Sequence, residues 1–183
     1  SESTIFHSAY ANAPNCAPSR ACMMSGQYSP RHGVYTVGDP KRGNHKLRKL
    51  DPTPNKTELG DEFVTMAEAL GANGYRCATM GKWHLGKDPT TQGFHVNVAG
   101  REWGSPSGGG YHSPYKYPNL VNDQPGEYLT DRLAMEACKF IEAQSKKEEP
   151  FFLYLTHYTV HTPIQAKEEL AKKYKEKPTH GGH

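Results

Sequence analysis

The sequence predicts an α/β fold with a mixed, largely parallel sheet flanked by helices, and three observations support this class. A helical segment followed by a strand and then by polar residues occurs twice, at 65–86 and at 130–163. The second strand, 151–155, is a continuous apolar run, as in strands buried on both faces of a parallel sheet. The length of 183 residues allows about 70% of the unfolded surface to be buried in one domain. Polar residues just beyond such strands predict a site at the carboxyl ends of the strands.

The first predicted helix follows a cluster of Pro and Asn residues. Pro18 suits the first turn of a helix that can continue to Gly26. Cys16 would then lie in the turn that leads into the helix N-terminus. The next segment, 38–55, is charged and contains Pro but has no apolar period, which predicts a surface loop.

The second helix and the first strand are adjacent in the sequence. Thr65 and Glu68 have the spacing of a capping box, which predicts a helix from 66 to about 72. Residues 75–80 are then predicted to form a short strand. The chain leaves this strand through residues 81–86, where flanking glycines permit a tight turn.

The second half of the chain contains an irregular segment and two more helices. Residues 100–126 are rich in Gly, Pro and Tyr without any period, which predicts an irregular excursion. Thr130 is predicted to cap a helix that ends near Gln144. The apolar face of that helix consists of Leu133, Ala137, Phe140 and Ile141. The Lys and Glu residues of 167–177 predict one solvated helix face.

The composition excludes several classes of protein. No segment approaches the roughly 18 consecutive apolar residues of a transmembrane helix, so no membrane span is expected. The 22 Lys and Arg against 19 Asp and Glu form no basic block, so nucleic acid is not an expected partner. The cysteines contain no C-x-x-C pair and do not indicate a compartment. Three of them are expected to be buried thiols: Cys22, Cys77 and Cys138.

Three pairs of reactive side chains lie at predicted ends of elements. The pairs are Cys16 with Arg20, Lys82 with His84, and His157 with His161. A nucleophile at a helix N-terminus with a nearby guanidinium suits an anionic group. Lys82 and His84 point the same way if the backbone between them stays extended. A lysine and histidines add charge neutralisation and proton transfer, so the residues predict an enzyme that acts on an oxyanion ester.

Three sequence motifs contain these side chains. C-A-P-S-R at 16–20 resembles the C-x-P-S-R signature of the type I sulfatases, and M-S-G at 24–26 stands where that family usually has L-T-G. G-Y-R-C-A-T-M-G-K-W-H-L-G at 74–86 is similar to the second signature of the family. The segment 150–163 resembles the family's strand that ends in His-x-Pro. Because the motifs occur in the expected order, the chain is identified as a member of the formylglycine-dependent sulfatases of the alkaline phosphatase superfamily.

The resemblance implies a nucleophile that the gene does not encode directly. In that family a separate maturase, a partner of the protein, oxidises the cysteine of C-x-P-S-R to formylglycine, and Cys16 is the matching position. One oxygen of the hydrated aldehyde attacks sulfur and expels the alcohol. The other then loses its proton, and the aldehyde re-forms as sulfate leaves. A serine could not use that second step.

The resemblance also implies roles for the other side chains by motif position. Arg20 would hold the diol and the charge on the metal side, and Lys82 would bridge the nucleophile and a sulfate oxygen. His84 would accept the proton in the release step. His161 would face the leaving-group oxygen. These roles agree with the physics, because charge grows on the sulfate and leaving oxygens in the transition state.

Calcium is the cofactor that the resemblance implies, bound by oxygen ligands that include residue 16. The family carries an Asp-Asp pair upstream of C-x-P-S-R and an Asp-Asn or Asp-His pair well downstream, whereas this chain contains no Asp-Asp or Asp-Asn dipeptide. We therefore expect residues 1–183 to be part of a sulfatase catalytic domain, without its opening metal-binding strand and its C-terminal part. Most calcium ligands would lie outside the chain, which alone would bind calcium weakly and turn over poorly.

Two alternative functions stay open at this point. An enzyme of the same superfamily could act on phosphate or phosphonate esters, because a metal, an Arg and a Lys serve tetrahedral oxyanions of either element. A catalytically silent homologue could bind sulfated polymer and keep Cys16 as a thiol. The localisation is unknown, and a periplasmic or secreted protein is favoured by the resemblance alone.

The roles of three tyrosines and of His157 each have two possible interpretations. Three tyrosines of the irregular segment either stack on the ring of a sulfated saccharide substrate or pack within their own loop: Tyr111, Tyr115 and Tyr117. His157 either lines the site beside His161 or forms a hydrogen bond near the strand end.

Overall fold

Three parallel strands form the sheet in the part of the chain that the structure describes. The computed structural model describes residues 2–106, 110–117, 119–121 and 124–177. The strands are β1 (Arg76–Gly81), β2 (Val96–Val98) and β3 (Phe151–Thr156), in the order β2-β1-β3. Both neighbours run parallel to the central strand β1. The predicted α/β class with a parallel sheet is therefore confirmed.

Helices α1 to α5 accompany the sheet. They are α1 (Cys16–Ser25), α2 (Ser29–His32), α3 (Met66–Gly71), α4 (Leu129–Gln144) and α5 (Glu168–Lys175). Short 3-10 helices span His45–Leu47 and Pro89–Gln92. The sequence did not predict α2, the 3-10 helices or β2, because each has only three or four residues and cannot show a periodic pattern.

Helix α1 begins at Cys16, which the sequence analysis placed in the turn before the helix. Asn15 has the extended backbone of an N-cap residue, and Ser19 N donates to Asn15 O at 3.1 Å to close the first turn. Cys16 is therefore the first residue of the helix and does not lie in the preceding turn. Its side chain stays at the helix N-terminus, as expected.

The capping box at the start of α3 is confirmed. Glu68 N donates to Thr65 Oγ1 at 3.1 Å, and Thr65 N donates to Glu68 Oε2 at 2.7 Å. Thr65 Oγ1 also donates to Gln92 O at 2.8 Å, which ties the helix to the turn before β2. The cap thus fixes both the helix start and its position against the sheet.

The predicted cap of α4 is wrong. The helix begins at Leu129 and not after Thr130, and its N-cap residue, Tyr128, makes no side-chain cap. Leu129 N instead donates to Tyr111 O at 2.7 Å, so a tertiary contact satisfies the first turn. The predicted apolar face is otherwise buried, except that Ile141 is 42% exposed.

Strand β3 is half-buried and not buried on both faces as predicted. Its side chains are partly exposed, and Leu155 at its end is 37% exposed. Among the described strands β3 pairs only with β1, so it is an edge strand and one side lacks neighbours. An apolar run alone does not distinguish an edge strand from a central one.

The core has two layers, one on each face of the sheet. One cluster joins α1 and α3 to the face of β1 that carries Cys77, and includes Met24, Trp83 and Phe94. The other joins α4 to the opposite face, through Met80 and Phe140. This sandwich places the N-terminus of α1 at the carboxyl ends of β1 and β3.

The tyrosines of the irregular segment pack within the protein and do not offer free rings to a sugar. Tyr111, Tyr115 and Tyr117 are 1%, 5% and 5% exposed. Tyr111 OH donates to Tyr158 O at 2.8 Å and to His161 O at 2.9 Å. The loop therefore supports the His-x-Pro segment, and residues 107–109, 118, 122 and 123 of it lie outside the described residues.

The cysteine predictions are confirmed at two positions and wrong at one. Cys22 and Cys77 are buried. Cys138 is exposed because it lies outside the face of α4 that is buried against the rest of the protein. No described helix is long and apolar enough to cross a membrane.

Candidate active site

Arg20 connects the first helix to the ends of two strands. It lies four residues after Cys16, so both side chains project from one face of α1. Arg20 Nη1 donates to Lys82 O at 2.5 Å and lies 3.4 Å from Tyr154 OH. The guanidinium is thereby held at the sheet edge where the strands end.

A close approach of the strand ends positions Lys82. Gly81 has φ +103°, and a Cβ at this position would lie 1.9 Å from Thr156 O, so only glycine fits. Lys82 N donates to Thr156 O at 2.7 Å, and Thr156 Oγ1 donates to Lys82 O at 2.8 Å. Lys82 is 5% exposed. Hydrogen bonds thus fix both the N and the O atom of the Lys82 backbone, from which the side chain extends into the site.

Burial lowers the pKa of Lys82. The positive charge of Arg20 lowers this pKa further, whereas the Cys16 thiol group opposes the shift through charge and hydrogen bonding. An anion bound beside this ammonium would relieve the cost of its burial. The lysine is therefore suited to a site whose ligand is negatively charged.

His84 reaches the site through a left-handed backbone. Its φ is +64°, and His84 N donates to Arg101 O at 2.8 Å. The extended backbone that would point Lys82 and His84 the same way is therefore not found, although both side chains do reach the same site. A left-handed conformation in a residue with a Cβ is strained by about 1–3 kcal/mol and is typical of functional positions.

The imidazole of His84 lies against the predicted nucleophile. Its Nδ1 is 3.4 Å from Cys16 Sγ. The ring also packs on Gly104, where an added Cβ would lie only 2.5 Å from His84 Cε1. The ring is 8% exposed and is held between these two contacts.

The environment of His84 keeps its imidazole neutral. Burial lowers its pKa from 6.5 to about 4, and electrostatic repulsion from Lys82, Arg20 and His161 adds to this shift. At pH 7 the ring is therefore able to accept a proton. A negatively charged group bound among these cations would raise the pKa again and strengthen the base.

An open pocket lies beside these cations. Its volume is about 270 Å³, and its wall includes Arg20, Lys82, His157 and His161. His161 is exposed, and its Nδ1 lies 3.0 Å from Thr162 O. The structure therefore brings the sequence-predicted residues Cys16, Arg20, Lys82, His84 and His161 together.

His157 also lines this pocket, which answers the question that the sequence left open. Its Nδ1 is buried and has no hydrogen-bond partner in the described residues. Burial lowers the pKa of this imidazole, so the ring is neutral at pH 7. His157 is thus a wall residue of the pocket. The alternative, a hydrogen bond of its ring near the strand end, is not found among the described residues.

Three residues of the site were missed in the sequence. Tyr154 and Thr156 contact Arg20 and Lys82 because β3 pairs with β1 in a register that aligns Gly81 with Thr156. Gly104 lies in the irregular segment, where no periodic signal indicates its contact with His84. Alternation along β3 is the signal that could have indicated Tyr154, which lies two positions before Thr156.

The side chains around position 16 do not fit a calcium ion by themselves. Calcium prefers several oxygen ligands, mainly carboxylates, whereas the side chains found next to that of Cys16 are those of Arg20, Lys82 and His84. Residues 2–106, 110–117, 119–121 and 124–177 contain no group of three His, Cys, Asp or Glu side chains that could hold a metal. The calcium site, with residue 16 as one ligand, stays a prediction.

The fold and the site together define a class of protein. A helix N-terminus, a guanidinium and a buried ammonium converge at the carboxyl ends of parallel strands, where they favour a tetrahedral oxyanion. A thiol position with a neutral imidazole at 3.4 Å adds a nucleophile and a base. These features are those of an α/β protein with an oxyanion-ester site.

Comparisons with known proteins identify the family within this class. The family model Sulfatase matches residues 1–182, and the chain belongs to the sulfatase family. It is 32% identical to N-acetylgalactosamine-6-sulfatase of Mus musculus over 188 residues, which cover 90% of this chain and 34% of that protein. It is 30% identical to a sulfatase of Formosa agariphila, with coverage of 89% and 38%. The chain thus spans about a third of the length of these relatives.

Solved structures show the same fold. The structure of Ps i-CgsB in complex with k-i-k-neocarrahexaose has a TM-score of 0.66 and 25% sequence identity, and the match covers 92% of this chain and 40% of that one. A structure from work on glycosaminoglycan metabolism by Bacteroides thetaiotaomicron has a TM-score of 0.67 at 18% identity, with coverage of 94% and 39%. The second likeness concerns the fold alone.

Proposed function

We propose that the full-length protein is a sulfuric ester hydrolase that uses a formylglycine at position 16. The observation that carries this proposal is the contact of 3.4 Å between Cys16 Sγ and the neutral imidazole of His84, beside Arg20 and Lys82. In the structure residue 16 is a cysteine, so Sγ marks the place where the hydrated aldehyde would carry its two oxygens.

In the first step one diol oxygen attacks the sulfur of a bound sulfate ester. The attacking hydroxyl gives up its proton as the new S–O bond forms, the S–O bond to the alcohol breaks, and one proton transferred to the leaving oxygen yields the free alcohol. His161, exposed in the pocket beside Lys82, would face that oxygen. Lys82 would bridge the nucleophile and a sulfate oxygen, and Arg20 would hold the diol, because positive groups stabilise the charge that grows in the transition state most.

In the second step the remaining diol hydroxyl loses its proton to His84. The C–O bond to the sulfate group breaks, sulfate leaves and the aldehyde re-forms, ready to add water again. A neutral imidazole is required for this transfer, and the lowered pKa of about 4 supports it. Bound sulfate raises that pKa and improves the base at the moment when it is needed.

A sulfated carbohydrate is the substrate class that the relatives support. N-acetylgalactosamine-6-sulfatase is named for an ester of an amino sugar, and Ps i-CgsB was solved with k-i-k-neocarrahexaose. The other partner would be the maturase that oxidises Cys16. That residue is partly exposed at the helix start.

The test uses the full-length protein produced in its own host. Mass spectrometry of the peptide that contains residue 16 is expected to show formylglycine, and aryl sulfate is expected to be hydrolysed. Cys16→Ala is expected to lower kcat by at least 1,000-fold, on the order of the loss of a covalent nucleophile. Cys16→Ser is expected to stop after one sulfate transfer and to accumulate a sulfated serine.

Three results would contradict the proposal. An unmodified thiol in fully active enzyme would exclude the formylglycine. Faster hydrolysis of aryl phosphate than of aryl sulfate would indicate a phosphate or phosphonate ester hydrolase. Retention of full activity in Cys16→Ala would exclude residue 16 from the chemistry.

A further inference from the structure

A second pocket meets the site at His84, and we call it the glutamate pocket. It has a volume of about 340 Å³, and its wall includes Ala17, Thr36, Glu58, His84, Lys87 and Glu102. Because Ala17 follows Cys16 and His84 contacts the Cys16 side chain, the pocket lies directly beside the nucleophile. A volume in this range suits a small organic group such as a sugar ring.

The backbone holds Glu58 close to the catalytic histidine. Leu59 N donates to Leu85 O at 3.0 Å, which places Glu58 beside Gly86. A Cβ at Gly86 would lie 3.7 Å from both Cβ and Oε2 of Glu58. The carboxylate therefore lies over the chain two residues after His84.

The opposite wall is tied to the start of α1. Asn15 Nδ2 donates to Thr36 Oγ1 at 3.0 Å. Asn55 Oδ1 accepts a hydrogen bond from Thr36 N at 3.0 Å, and Asn55 Nδ2 donates to Thr36 O at 3.1 Å. Since Asn15 precedes the nucleophile, this wall keeps a fixed position relative to residue 16.

The charge of the glutamate pocket is opposite to that of the catalytic site. Two carboxylates, of Glu58 and Glu102, face one ammonium, of Lys87, whereas the catalytic site contains Arg20 and Lys82. Glu102 is also paired with Arg101 at 3.2 Å, but both side chains are about one-third exposed, so solvent weakens that pair. Carboxylates accept hydrogen bonds from hydroxyl groups and repel a further anion.

We propose that the glutamate pocket receives the part of the substrate next to the reacting sulfate, and that it selects an uncharged, hydroxyl-bearing sugar unit over a sulfated one. This inference rests on the proposed function. Glu58 and Glu102 would accept hydrogen bonds from sugar hydroxyls, and Thr36 would offer a further polar contact. A second sulfate in the pocket would lie close to two carboxylates and would weaken binding.

The test compares two disaccharides in the full-length, formylglycine-containing enzyme. They are identical except that one carries a second sulfate on the sugar that does not react. The wild type is expected to favour the singly sulfated compound in kcat/KM by about tenfold, the size expected for one pair of like charges near a protein surface. Glu58→Gln combined with Glu102→Gln is expected to reduce this ratio to about threefold or less. Glu142→Gln, an exposed change on α4, is the matched control and is expected to leave the ratio unchanged.

The ratio separates this inference from the proposed function. If the enzyme hydrolyses aryl sulfate but treats both disaccharides equally or prefers the doubly sulfated one, the glutamate pocket has been assigned wrongly. An unchanged ratio in the double variant would overturn the assignment as well. If no sulfate ester is hydrolysed by enzyme with formylglycine at position 16, the proposed function itself fails.

Discussion

Gly104 provides a direct test of how closely the structure must hold His84. In Gly104→Ala the new Cβ would lie 2.5 Å from His84 Cε1 and 2.9 Å from Nε2. A normal contact between carbon atoms needs about 3.5 Å, so the imidazole must move by about 1 Å. It is displaced from its contact of 3.4 Å with residue 16.

A shift of this size is expected to lower activity without unfolding the protein. A misplacement of about 1 Å costs about 100-fold in rate, which corresponds to about 2.7 kcal/mol. Gly104 lies in a loop and has no left-handed backbone, so a methyl group there does not strain the main chain. The loss should therefore fall on kcat and leave the thermal unfolding temperature within a few degrees of the wild type.

The assay measures kcat and KM on aryl sulfate with the full-length enzyme, and mass spectrometry checks that formylglycine content is equal. Gly71→Ala is the matched control, because its Cβ would meet His95 Cε1 at an ordinary 3.5 Å. Full activity in Gly104→Ala at equal formylglycine content would show that the position of His84 does not limit the reaction. A large loss in Gly71→Ala would show that the assay responds to any added methyl group.

Three further predictions concern stability. Because the pKa of His84 falls from 6.5 in the unfolded chain to about 4 in the fold, the native state binds fewer protons there, and stability is full above pH 6.5 and falls as the pH approaches 4. The pKa shift makes about 3 kcal/mol of the unfolding free energy dependent on pH. The denaturant midpoint of His84→Gln should therefore change less between pH 6.5 and 4 than that of the wild type. An equal change of midpoint with pH in both proteins would contradict the shift. Gly81→Ala is expected to prevent soluble expression, because its Cβ would lie 1.9 Å from Thr156 O; a soluble variant with a normal unfolding curve would disprove the close approach. Thr65→Ala is expected to lower the free energy of unfolding by about 1–2 kcal/mol, because the cap and the hydrogen bond to Gln92 O are lost. Thr65→Ser keeps a hydroxyl and should retain most of the wild-type stability. Equal urea midpoints for Ala and Ser would show that the hydroxyl is not needed.

The sequence predicted those features that depend on neighbouring residues. The capping box of Thr65 and Glu68 is a local arrangement, and the structure has both of its hydrogen bonds. Cys16 and Arg20 are four residues apart on one helix, so their shared face follows from the helical repeat. The α/β class could be inferred because helix and strand alternate within short distances.

Features that depend on distant partners could not be predicted. Thr130 has the composition of a cap, but the carbonyl of Tyr111 satisfies the first turn of α4. An apolar run such as β3 carries no signal about how many strands surround it. The contact of Gly104 with His84 joins two loops, and neither loop has a periodic pattern.

The bond from Arg20 to the carbonyl of Lys82 constrains what can replace that arginine. The guanidinium offers five N–H groups in a rigid plane, so one edge can hold the main chain while, under the proposed function, another holds the diol at residue 16. A lysine has one rotating ammonium on a flexible stem and would have to give up one of these tasks. Under the proposed function one side chain therefore both holds the Lys82 carbonyl and binds the reacting group, so Arg20→Lys is expected to lose one of these contacts although it keeps the positive charge.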